Sequence, residues 1–99
     1  MSLLIIRAKI KPEYVAEVEA AATGVFAEVE RAQPKGMRYA ACRHSDSADF
    51  VILLGLEEGL ENPLNALPAY REFLQRLKDW IAEPPRQDQL TVVGSYRLF

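Results

Sequence analysis

The chain has 99 residues, 49% hydrophobic and 26% charged, which suits one globular domain over residues 1–99 and excludes a disordered chain. Its formal net charge of −2 offers no overall positive charge for nucleic acid, and a single cysteine, Cys42, excludes an internal disulfide and fits a reducing compartment. No apolar run approaches the roughly 20 residues that cross a bilayer, so we expect a cytoplasmic protein with no nucleic-acid or membrane partner.

The first predicted elements are a strand and a helix. Residues 3–11 alternate as a strand does, and one face carries Leu4, Ile6, Ala8 and Ile10. Residues 13–32 place apolar side chains at spacings of three and four, which predicts a helix with one apolar stripe.

A strand hairpin follows this helix. Residues 37–45 and 49–57 predict two strands joined by a short connection. The second strand is apolar on both sides, with Phe50 and Ile52 on one side and Val51 and Leu53 on the other. That pattern is typical of a strand buried on both faces.

The last part of the chain predicts a second helix and a final strand. The helix extends over about residues 67–82 and ends at Glu83-Pro84-Pro85, because proline does not continue a helix. Residues 90–99 predict a strand that again carries apolar side chains on both faces.

The element order β-α-β-β-α-β predicts a ferredoxin-like α+β fold, with a four-stranded antiparallel sheet and both helices on one face. The other face is apolar at Leu3 and Ile5 and charged at Arg7, Lys9 and Lys11. Uncovered apolar surfaces usually bind a partner. We therefore expect a homodimer that closes an α+β barrel across two chains, and the competing interpretation is a large flat ligand on that face.

Several local features resemble one known superfamily. Lys11-Pro12-Glu13 ends the first strand, Asp46, Asp49 and Phe50 lie at the hairpin, and residues 67–73 (LPAYREF) begin the second helix. With these features the whole chain resembles the dimeric α+β barrel superfamily, and within it the antibiotic biosynthesis monooxygenase (ABM)-like domains. The resemblance implies a monooxygenase without cofactor or metal that acts on an aromatic or quinol-like small molecule.

The sequence departs from this family at several places, one of which is the end of the third strand, where Glu57 is present without the aromatic residue that members often carry. Members often carry a histidine shortly before the second helix, where this chain has Leu64 and Asn65. The haem-degrading branch relies on an Asn, a Trp and a His, but here the first strand has no Asn and the second helix has no His. We therefore do not extend haem chemistry to this chain.

Six side chains are candidates for a ligand site. His44 is the only histidine, and its ordinary pKa near neutrality suits a base that removes a phenolic proton, whereas an exposed hairpin histidine is the competing interpretation. Aromatic residues could line a flat apolar pocket and an arginine could hold an oxyanion, although core filling and a solvated arginine explain them too. Cys42 is expected to be a small buried hydrophobe. The candidate catalytic residues are His44 and Tyr70, and the candidate substrate-binding residues are Tyr39, Trp80, Arg86 and Tyr96.

Other functions stay open for the same fold. The first is a non-catalytic dimer that binds a small molecule or is associated with stress. The second is an isomerase or cyclase. The third is a sensing module that acts through a separate DNA-binding partner. The sequence does not decide whether the chain is an enzyme.

Overall fold

The computed structural model describes residues 1–98, and Phe99 lies outside the described residues. Its helices are α1 (Val15–Ala32) and α2 (Pro68–Trp80), and its strands are β1 (Ser2–Lys9), β2 (Met37–Arg43), β3 (Asp49–Leu56) and β4 (Arg86–Thr91). All strand pairs are antiparallel, in the order β2-β3-β1-β4. The predicted ferredoxin-like α+β fold is therefore confirmed. Within residues 1–98, no helix has the length and apolar character needed to cross a membrane.

The hydrophobic core lies between the sheet and the two helices. On β1 the predicted alternation is confirmed, because Leu4, Ile6 and Ala8 lie opposite Leu54, Ile52 and Phe50 of β3 on the face toward the helices. The helices add their apolar stripes to this face. The buried core residues are Ala8, Ile10, Val18, Val25, Phe50, Leu54, Leu64, Tyr70, Phe73 and Trp80.

Each helix begins after a short 3-10 turn. Pro12–Tyr14 forms the first turn, so α1 begins two residues later than the sequence predicts, and Pro63–Ala66 forms the second turn. No side chain within α2 caps its N-terminus. Instead Glu28 of α1 accepts a hydrogen bond from the backbone N–H of Ala69, 3.2 Å from Oε2. This carboxylate satisfies a free N–H at the positive end of the α2 dipole.

The last strand differs from the sequence prediction. It covers Arg86–Thr91 instead of residues 90–99, and β1 pairs with it from Arg7 opposite Arg86 to Ser2 opposite Thr91. The prediction failed because all of β4 is exposed, and an exposed edge strand needs no apolar alternation. Residues 92–98 continue past the start of β1 and have no strand partner in this chain.

We call the sheet surface opposite the helices the open face. It is apolar at Ile5 and at the neighbouring Leu53 of β3, whereas the neighbour of Ile5 on β4 is the charged Asp88. Cys42 lies on this face and is exposed, so the expectation of a buried cysteine is wrong. The reason is that β2 is an edge strand, and its open-face side chain at Cys42 is left exposed within residues 1–98.

Candidate functional site

The sheet and the helices enclose a cavity of about 260 Å³. Strand residues such as Ile6 and Leu54 form its floor, and helix residues such as Val25 and Phe73 form its roof. Among residues 1–98, no charged side chain lines it, and its polar side chains are those of Tyr39, Tyr70 and Gln87. A concave, mostly apolar cavity with a few polar groups is typical of a small-molecule site.

The exposed part of the lining marks the mouth of the cavity. Leu74 of α2 is 41% exposed, and Pro85 and Gln87 are also exposed. All other lining residues are buried or half-buried. The cavity therefore opens to solvent between α2 and the start of β4.

Tyr39 lies on β2 at the far side of the cavity from this mouth. Its ring stacks on Phe26 of α1, with ring centroids 4.8 Å apart. Burial, followed by the neighbouring Tyr70, raises the pKa of its hydroxyl to about 12. At neutral pH the Tyr39 hydroxyl is therefore protonated and can donate a hydrogen bond to a ligand.

Tyr70 lies on α2 and is 9% exposed. Burial raises the pKa of its hydroxyl, and a hydrogen bond with the Asn62 side chain lowers it in part. A hydrogen bond that lowers a phenol pKa is one donated to its oxygen, so the Asn62 amide NH₂ donates to Tyr70, while its Oδ1 accepts a hydrogen bond from the N–H of Leu64 at 3.0 Å. The hydroxyl proton of Tyr70 then remains free for a ligand.

Of the six candidate residues, the cavity brings together Tyr39 and Tyr70. His44 lies in the exposed β2–β3 hairpin, where its Nδ1 accepts a hydrogen bond from the backbone N–H of Asp46 at 3.3 Å. Arg86 lies opposite Arg7 in the β1–β4 pairing and therefore on the open face. Neither His44 nor Arg86 lines the cavity, and their functional roles stay predictions.

The remaining two candidates also lie outside the cavity lining. Trp80 is 5% exposed and packs in the core, edge-to-face against Phe73 with ring centroids 6.4 Å apart. Tyr96 is 83% exposed in the segment after β4. The core-filling interpretation suits the position of Trp80, and no contact with the cavity supports Tyr96 as a ligand residue.

Sequence reasoning missed two polar residues of this region. Gln87 could not be predicted from the sequence because its strand has no apolar alternation. Its place on the helix-facing side follows only from the pairing with β1, where it lies opposite Ile6. Asn62 carried a usable signal, since an Asn before Pro63 is typical of a capped turn, and its side chain caps the second 3-10 turn.

The geometry favours binding of an oxygen-bearing apolar ligand. Two phenol hydroxyls in an apolar site donate hydrogen bonds that are stronger than the same bonds in water. Such donors stabilise negative charge that develops on a ligand oxygen. Among the described residues, no group of three or more His, Cys, Asp or Glu side chains could hold a metal ion.

Comparison with known proteins gives matches only at the level of structure. No protein-family model matches the chain, and no curated protein matches it. A solved structure named "Putative antibiotic biosynthesis monooxygenase from Nitrosomonas europaea" superposes with a TM-score of 0.77 at 18% identity, over 95% of this chain and 100% of that one.

Two further solved structures have the same similarity. A Caulobacter crescentus protein of the same name gives a TM-score of 0.77 at 18% identity, over 94% of this chain and 90% of that one. A Mycobacterium tuberculosis protein gives 0.76 at 14% identity, over 95% of this chain and 96% of that one. Identities this low show the fold and not the reaction. The chain has the ferredoxin-like α+β fold of the ABM-like proteins.

Proposed function

We propose that this protein binds a small aromatic or quinol-like molecule in the cavity between the sheet and the helices and oxygenates it with dioxygen. The observation that carries the proposal is an apolar cavity with the protonated hydroxyls of Tyr39 and Tyr70 on its lining. The similarity to structures named as ABM proteins supports the same reaction class.

In this proposal Tyr70 is the catalytic residue and acts as a hydrogen-bond donor. Tyr70 does not suit the role of a base, because burial raises the pKa of its hydroxyl. The hydroxyl instead binds the oxygen of the substrate and stabilises the anion that forms when the substrate loses a proton. Tyr39 supports the same oxygen from β2.

An anthrone illustrates the balance of the reaction. Its CH₂ group releases a proton to solvent water at the cavity mouth, and the resulting anion carries its charge on the former ketone oxygen. The anion reduces dioxygen, one atom of which becomes the new carbonyl oxygen while the other leaves as water. The substrate supplies all of the electrons, and the product is the quinone.

Oxygen consumption with a panel of anthrones and quinols tests this reaction. We expect uptake above the buffer rate for at least one compound, with one oxygen-18 atom from labelled dioxygen in the product. Rates equal to buffer across the panel would overturn the enzymatic proposal. Product that forms without labelled oxygen and without oxygen uptake would instead indicate an isomerase or cyclase.

A second candidate function is ligand binding without turnover. The observation in its favour is that, within residues 1–98, no imidazole or carboxylate lines the cavity to accept the substrate proton. Calorimetric titration of the same panel distinguishes the two functions. Micromolar binding without oxygen uptake would establish the binding function and exclude the oxygenase.

We also propose that two copies associate through the open face. Ile5, Leu53 and Ala40 lie side by side there on β1, β3 and β2. The segment after β4 adds unburied apolar surface, since Val93 is 99% exposed and Leu98 is 64% exposed. A second copy would cover both surfaces.

We finally propose a cytoplasmic location. Cys42 is free and exposed on the open face. In the proposed dimer this thiol would face the second copy. Such an exposed thiol stays reduced best in a reducing compartment. Fluorescence microscopy of a tagged protein in the source cell tests this location, and signal at the cell envelope would contradict it.

A further inference from the structure

The cavity has polar side chains at two opposite ends. Tyr39 lies on β2 and Gln87 on β4, and these are the two edge strands of the sheet. Three strand spacings and a shift of two residues along the strands separate them, which is about 16 Å between their backbones. Tyr70 lines the same cavity as Tyr39, and its charge contributes to the raised pKa of Tyr39. The lining between the two ends is apolar.

Gln87 is the polar residue of β4 that reaches this cavity. It lies opposite Ile6, another lining residue, and its side chain is exposed at the mouth. Gln89 lies two residues further along the same strand on the same side, opposite Leu4. Gln89 does not line the cavity but borders a separate surface groove. Both glutamines therefore lie on the same strand, on the same face and are exposed. They differ in that Gln87 lines the cavity and Gln89 does not.

The lining also restricts the charge of a ligand. No charged side chain of residues 1–98 lines the cavity, so an ionised ligand group would lie there without a counter-charge. The Gln87 amide is neutral and both donates and accepts hydrogen bonds. It can therefore hydrogen-bond a hydroxyl or carbonyl group, but it does not neutralise the negative charge of a carboxylate.

We propose that Gln87 is a specificity-determining residue whose amide binds the outer oxygen of a neutral, flat ligand, while the inner oxygen lies between Tyr39 and Tyr70. The ligand class is a fused-ring aromatic ketone or phenol with oxygens at opposite ends. This inference rests on the proposed function, because it requires the ligand to occupy the cavity.

Calorimetric titration with two related probes tests this inference. The two-ended probe is 6-hydroxy-1-tetralone, at a pH where its phenol is neutral, and the one-ended probe is 1-tetralone. For Gln87→Leu we expect about a tenfold loss of affinity for the two-ended probe, the effect of one hydrogen bond, and less than a twofold change for the one-ended probe. The anionic probe 2-naphthoate should bind the wild-type protein at least tenfold more weakly than 1-tetralone.

Gln89→Leu is the matched control and should change neither affinity. Equal losses for both tetralones in Gln87→Leu, or no loss for either, would overturn the inference and leave the proposed function standing. Equal or tighter binding of 2-naphthoate would overturn the neutral ligand class. If neither tetralone binds the wild-type protein, the fused-ring ligand class and this inference are wrong, whereas the proposed function is decided separately by the anthrone and quinol panel.

Discussion

At the scale of single residues, environment separates the tyrosines of this chain. Tyr39 and Tyr70 lie in the interior, whereas Tyr96 is 83% exposed. Burial raises the pKa of the two interior hydroxyls because it disfavours the phenolate. The same residue type therefore gives a pair of hydrogen-bond donors at one place and a solvated side chain at another.

The raised pKa of Tyr39 predicts a loss of stability at alkaline pH. Below about pH 10 the Tyr39 hydroxyl is protonated in both the folded and the unfolded chain. Above about pH 10 it ionises in the unfolded chain but stays protonated in the folded one. The stabilising contribution is thus complete below about pH 10 and is lost as pH rises toward about 12. We expect the contribution of Tyr39 to the free energy of unfolding to fall by about 2 kcal/mol over this range.

Urea unfolding at several pH values above 9 measures this fall. The Tyr39→Phe variant should show a smaller fall than the wild-type protein, because it has no hydroxyl to ionise. The control variant Tyr96→Phe should follow the wild-type curve. Identical pH dependence in Tyr39→Phe and the wild-type protein would contradict the prediction.

The cavity geometry also predicts which candidate residue affects turnover. Tyr70→Phe removes a donor to the substrate oxygen and should lower kcat by about 100-fold on an active quinol or anthrone. His44→Ala should change kcat by less than twofold, because His44 lies in the exposed hairpin and not on the cavity lining. Steady-state oxygen uptake measures both. A large loss in His44→Ala would restore His44 as the base.

At the scale of the elements, α2 depends on α1 for its N-terminal cap. Glu28 reaches across from α1 to the N–H of Ala69, and no side chain of α2 replaces it. The two helices are therefore coupled by a hydrogen bond as well as by packing. The coupling matters for the cavity, because α2 carries Tyr70.

Removal of this cap should destabilise the fold. Glu28→Ala leaves the Ala69 N–H without its partner and should lower stability by about 1 kcal/mol, or the melting temperature by roughly 4–8 °C. Glu28→Gln keeps an acceptor and should lose less. Thermal melts followed by circular dichroism measure the change. Glu30→Ala, on the exposed surface of the same helix, is the control, and an equal loss in that variant would show that the cap contributes nothing.

At the scale of the whole molecule, the open face predicts self-association. A charge at Leu53 would lie beside Ile5 and Ala40 in the proposed contact. We expect Leu53→Glu to yield monomer or insoluble protein, because burying an unpaired carboxylate costs several kcal/mol. Light scattering after size exclusion measures the mass. Ala27→Glu adds the same charge to an exposed position of α1 and should remain dimeric.

A stable dimer of Leu53→Glu would count against the open face as the contact. A wild-type protein that is monomeric would exclude the homodimer outright. Either result would leave the internal cavity and its tests intact, because all of its lining residues belong to one chain.

The sequence by itself determined the element order and the faces of β1, β3 and α1. These features follow from periodicity among neighbouring residues, and the burial of Leu54 and Val25 confirms the apolar sides. The prolines at 84 and 85 do not set the end of α2, which ends at Trp80 instead of residue 82, because Ile81 is extended and pairs with Ile10. The ferredoxin-like fold follows from this order, because few topologies satisfy it.

Only the tertiary structure decided the position of β4 and the membership of the site. β4 is exposed, so its pairing with β1 leaves no pattern in its own residues. Tyr39 and Tyr70 line one cavity because β2 and α2 pack on opposite sides of it, and Gln87 lines it from a third element. Contacts between distant parts of the chain depend on how whole elements pack, and residue periodicity records only whether a side chain faces inward.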